Sequence, residues 1–160
     1  MAFETTIIKY LQELQTLDYR SLGRSTWVNE PKSITEILFL EQEYNEGKPF
    51  PAVLRELLFI AGNGCPLIEL RPENLQQQIR LAVSASSHSI PENYLAFDFL
   101  DFSSFSLVYT SQNTEDPKVY HVELSPSEEQ HTEFIEDSEF TLLKLLKHRI
   151  SQVKQGYSPF

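Results

Sequence analysis

A chain of 160 residues with 41% hydrophobic and 12% aromatic content is the size of one ordinary domain and can bury its own core, which excludes a disordered segment. Its single cysteine, Cys65, excludes an internal disulfide and a thiolate metal cluster built by one chain. A formal net charge of −10 sets the surface against nucleic acid and anionic membrane. In chain order, the first predicted element is an amphipathic helix from about residue 4 to about residue 17. Phe3, Ile7, Leu11 and Leu14 recur there at helical spacing, and Ile8 and Leu17 widen the stripe. A polar stretch containing Trp27 and Pro31 follows. Ser33 and Glu36 then stand three apart, the capping-box arrangement, ahead of Ile34, Ile37, Leu38 and Leu40. This second helix runs to about Tyr44, where Asn45-Glu46-Gly47 stops it.

Pro49-Phe50-Pro51 opens the next helix, with Pro51 near the first turn where its missing N–H is harmless. Val53, Leu54, Leu57, Leu58 and Ile60 make that helix almost wholly apolar, as expected of a buried central helix. Gly62-Asn63-Gly64 ends it, a turn and not a phosphate loop, because it closes a helix and lacks the following Lys-Ser/Thr. Residues 67–70 are a short strand candidate, and Pro72 starts a shorter helix through Leu75, Ile79 and Val83.

The second half changes character. Residues 94–99, 105–110 and 119–124 are rich in aromatic and β-branched residues and are expected to be strands. The polar turns between them are short, which favours antiparallel neighbours. Ser138 is the expected cap of a final helix in which Phe140, Leu142, Leu143, Leu145, Leu146 and Ile150 supply the apolar surface. The predicted fold is α+β: a mostly antiparallel sheet, N-terminal helices and a closing C-terminal helix packed against it. It forms a single domain over 1–160, with its core at about 27–150 and a loose tail at 156–160.

No catalytic, cofactor or metal constellation emerges from the pattern. Asp98 and Asp101 are close in sequence, but strand alternation does not give them a shared face, and they are read as turn or surface carboxylates. His88, His121, His131 and His148 show no metal-ligand spacing, and Cys65 has no basic neighbour in sequence. Ser103, Ser104 and Ser106 lack a nucleophile-elbow context. Charge is the stronger signal. From Glu92 to Glu139 twelve acidic residues face one base, Lys118. Such a field attracts basic protein surfaces.

The order of motifs carries a family likeness. A helix with a glutamate (Glu41 or Glu43) precedes Pro49-Phe50-Pro51. A helix of the form Pro51-x-x-Leu54-x-x-Leu57-Leu58 follows and ends at Asn63-Gly64. Tyr94-Leu95-Ala96-Phe97-Asp98, Pro117-Lys118-Val119-Tyr120 and Ser138-Glu139-Phe140-Thr141-Leu142-Leu143 complete the pattern. Together they resemble the SUKH superfamily over roughly residues 27–150. That superfamily includes fungal cell-wall glucan synthesis regulators and bacterial immunity proteins. Cys65 stands where the family often has a second glycine, and the segment from Asp98 to Phe102 lacks the family's glycines.

The resemblance implies a non-catalytic, cytoplasmic protein-binding domain. Its leading form is an immunity protein that neutralises a polymorphic toxin, commonly a nuclease or deaminase, by covering the active site. The expected partner is then a basic toxin domain, with no nucleic acid, membrane or cofactor, and with monomer or homodimer undecided. Asp98, Asp101, Glu115, Asp116, Glu128 and Glu129 are the contact candidates, chosen by charge and loop placement. The alternatives are a regulatory scaffold for an endogenous partner, and a hydrolase using Asp98, Asp101 and a histidine. A cytoplasmic address also follows from the N-terminus, which lacks a signal-peptide pattern, and from the absence of a ~20-residue apolar run.

Overall fold

A computed structural model describes residues 8–24, 26–62, 64–70, 73–101, 103–124 and 134–160. Four α-helices, α1 (Ile34–Tyr44), α2 (Ala52–Ile60), α3 (Glu73–Ala85) and α4 (Leu142–Lys154), accompany four strands. The strands β1 (Tyr94–Asp101), β2 (Ser104–Tyr109), β3 (Lys118–Glu123) and β4 (Ile135–Thr141) form one antiparallel sheet in the order β1-β2-β3-β4. Each strand therefore pairs with its neighbour in sequence, and the α+β architecture with its C-terminal helix on the sheet stands.

Local chemistry sets the helix starts. The Ser33 hydroxyl accepts the Glu36 N–H at 3.3 Å while the Glu36 carboxylate accepts the Ser33 N–H at 2.8 Å, closing the capping box of α1. Pro51 occupies the N-cap of α2, whose Val53, Leu54, Leu57 and Leu58 are buried. The end of α2 is tied to the chain before α1: Glu30 N–H donates to Ala61 O and Lys32 N–H to Leu58 O, each at 3.0 Å. Those bonds draw Glu30 O so near Gly62 (φ +68°) that an added Cβ would lie 1.8 Å from it.

Strand alternation divides the sheet between two cores. Leu95, Phe97, Val108 and Val119 face α1, α2 and α4. Tyr94, Ala96, Leu107, Tyr109 and Val122 face Ile79 and Val83 of α3. Helices thus cover both faces.

Four expectations are corrected. The N-terminal segment is not the predicted helix: residues 1–7 lie outside the description, and Gln12–Thr16 forms only a 3-10 turn. The carboxylate of Glu56 on α2 accepts the N–H groups of Lys9, Tyr10 and Leu11 at 2.8–3.1 Å, which fixes that backbone from another element. Leu11 and Leu14 are nevertheless buried, as the spacing required. Residues 67–70 bury Leu67, Ile68 and Leu70 but form no strand. They touch the β1 edge through one backbone bond, Asp98 N–H to Glu69 O at 3.3 Å.

Ser138 caps no helix. It lies in β4 and donates to Val119 O at 2.7 Å, whereas Thr141 caps α4 by accepting the Lys144 N–H at 3.3 Å. The strand escaped the sequence reading because its exposed, charged residues break the apolar alternation. The tail is also packed: Pro159 is buried, Tyr157 N–H donates to Gln152 O at 2.9 Å, and the Phe160 ring lies 5.1 Å from the Arg149 guanidinium. Among the described residues no helix is long and apolar enough to cross a membrane.

Candidate partner-binding surface

Four of the six acidic contact candidates are described; Glu128 and Glu129 lie outside the described residues. Asp98 is in β1 and not in a loop, with φ +52°. Its carboxylate meets the Arg149 guanidinium at 2.6 Å and accepts the Glu69 N–H at 3.2 Å. Both partners of that ion pair are largely buried, with side chains 13% and 15% exposed, and it joins α4 to β1. Asp101 is exposed and closes the β1–β2 turn, accepting Ser103 N–H, Ser103 Oγ–H and Ser104 N–H. The Ser103 hydroxyl and then its amide hold the Asp101 carboxyl below its usual range.

Glu115 and Asp116 sit in the loop from β2 to β3. The exposed Glu115 carboxylate accepts the Tyr10 hydroxyl and lies 3.8 Å from Lys9 Nζ, while its carbonyl accepts Val53 N–H at the start of α2. Asp116 is half-buried and accepts Leu143 N–H at 2.9 Å, serving the first turn of α4. The described candidates do not form one patch. Asp101 and the Glu115–Asp116 pair stand at opposite ends of β2, roughly 20 Å apart at the usual rise of a strand.

The two edges of the sheet differ in kind. The β1 edge is sealed by side chains. The carboxamide of Gln76 on α3 donates to Ala96 O at 2.7 Å and accepts Ala96 N–H at 3.1 Å, and Arg80 donates to Tyr94 O at 2.6 Å. The β4 edge carries exposed Glu136, Asp137 and Glu139. Asp137 pairs with Lys118 at 2.6 Å and accepts Glu139 N–H at 2.8 Å. Between the pairs Lys118↔Thr141 and Tyr120↔Asp137 the register shifts, a bulge on the β4 side. Charge and a bulge are the usual defences of an open edge against unwanted strand pairing. These β4 acids belonged to the acidic run in the sequence, but their strand placement had no apolar pattern to signal it.

The side chains that a hydrolase would need are engaged separately. Asp98 binds Arg149, Asp101 binds Ser103 and Ser104, and His121 lies 3.4 Å from Ser104 Oγ. Cys65 is buried, and burial pushes its thiol up to about 11, far from a reactive thiolate. Among the described residues no three His, Cys, Asp or Glu side chains gather as a metal site. Comparison with protein-family models, characterised proteins and solved structures gives no match.

Proposed function

We propose that the chain is a non-catalytic protein-binding domain, and specifically an immunity protein that covers the active site of a basic bacterial toxin domain of the nuclease or deaminase type. The supporting observation is the run of exposed carboxylates Glu136, Asp137 and Glu139 on the edge of the sheet, of which Asp137 is paired with Lys118. A nuclease groove is basic because it holds a polyanion, so a negative edge accelerates encounter and opposes binding of nucleic acid. Exposed Asp101 extends that field at one end of β2, while exposed Glu115 at the other end lies 3.8 Å from Lys9 Nζ. Asp98 and Asp116 serve the fold and are left out of the contact set.

The test is affinity capture from the native host lysate at low and high salt, followed by neutralisation. Recovery of one basic protein with a toxin-like domain, released by salt and silenced by added chain, supports the reading. A captured cell-envelope partner with no toxic activity would replace immunity with a regulatory scaffold. Recovery of no partner would overturn the binding reading itself.

A further inference from the structure

A cleft of about 260 Å³ opens between the chain before α1, the loop after α2 and the packed tail. Its lining includes the apolar Trp27, Val28 and Phe160 and the carboxyl-bearing Glu30. Val28 and Phe160, 58% and 61% exposed, are two exposed large apolar side chains that meet in this one cleft. The volume falls below the ~300–1,000 Å³ of small-molecule sites and suits a single long side chain. An aromatic and aliphatic lining beside a carboxylate matches an amphipathic cation, which lays its stem on the apolar surface and carries its head to the carboxylate.

Both rings already hold guanidinium groups from the same chain. Arg24 lies 4.8 Å from the Trp27 ring centroid and Arg149 lies 5.1 Å from that of Phe160. Arg149 is neutralised by Asp98, whereas Arg24 is exposed and forms no ion pair among the described residues. We infer that the cleft seats an arginine side chain of the protein partner, its guanidinium stacked on Trp27 and paired with Glu30. This rests on the protein-binding reading above and names one point of contact within it. A guanidinium fits better than an ammonium because its plane stacks on the indole while its edge donates to a carboxylate.

The chain has one tryptophan, so Trp27 fluorescence reports directly on the cleft. Titration with N-acetyl-arginine amide is expected to give a saturable change, with a weaker response to the lysine analogue and none to N-acetyl-leucine amide. Glu30→Gln should weaken the arginine response by roughly fivefold, the ceiling for an exposed ion pair. The Glu30 side chain is exposed, and its backbone makes the bond to Ala61, so Glu30→Gln should fold normally, as circular dichroism would show. A response shared by leucine, absent altogether, or indifferent to Glu30→Gln would overturn the inference. Should a captured partner bind Glu30→Gln as tightly as the parent, the arginine contact fails and the protein-binding reading survives. Failure of capture alongside the expected titration would leave the cleft chemistry standing and remove the proposed function.

Discussion

Gln76 acts as a one-residue strand. Buried to 2% exposure on α3, its carboxamide offers one donor and one acceptor to Ala96 as a neighbouring strand would. Gln76→Leu keeps the volume and removes both bonds, leaving the N–H and C=O of fully buried Ala96 unpaired. At about 1–3 kcal/mol for each of the two orphaned groups, the loss should be about 2–6 kcal/mol. That is a large share of a domain's typical ~5–15 kcal/mol. In urea, with a slope of about 2 kcal/mol per M, the midpoint should fall by about 1–3 M at unchanged slope. Hydrogen exchange should show the Ala96 amide losing protection beyond the global change. A Gln76→Leu loss under about 0.5 kcal/mol would refute the pseudo-strand account.

Other predictions follow from contacts of the same kind. Gly62→Ala must place a Cβ 1.8 Å from Glu30 O at φ +68°, and should lose at least about 3 kcal/mol by chemical denaturation. Glu56→Ala removes the acceptor of three successive amides and should lose about 2–4 kcal/mol, with exchange protection vanishing at Lys9, Tyr10 and Leu11 while α3 keeps its own. Asp98→Ala strands the largely buried Arg149 and should lose about 2–4 kcal/mol, while Asp98→Ala with Arg149→Met should recover part of that loss. Cys65 should resist a thiol reagent at pH 8 until the chain unfolds. Because burial raises its thiol from 9.0 to about 11, its contribution to stability should fall as pH rises through that interval.

What the sequence made legible is what periodicity and capping control. Ser33 and Glu36 mark a real capping box, the apolar run after Pro51 is the buried α2, and the aromatic segments near 94, 105 and 119 are strands within a residue or two. Two backbone contacts escaped for a different reason, since their partners come from distant side chains. Glu56 fixes residues 9–11 from some 45 positions away, and Gln76 completes β1 from 20 positions away, so no local pattern could display either contact. β4 was hidden for the complementary reason: an edge strand protected by charge has no apolar stripe to reveal it.

Counting carboxylates carries the same weakness into function. Asp98 and Asp116 raise the acidic tally as much as Glu136 and Glu139 do, yet the first two neutralise Arg149 or serve the first turn of α4. Charge that is spent inside a fold contributes little to its outer field, because partner and counter-charge cancel within a few ångströms. The field a basic partner would meet is therefore narrower than the sequence suggests. Among the described candidates it is carried by Glu136, Glu139 and Asp101, since Asp137 pairs with Lys118 and Glu115 with Lys9, and any salt-dependent association rate should follow substitutions at those three and ignore Asp98 at matched stability.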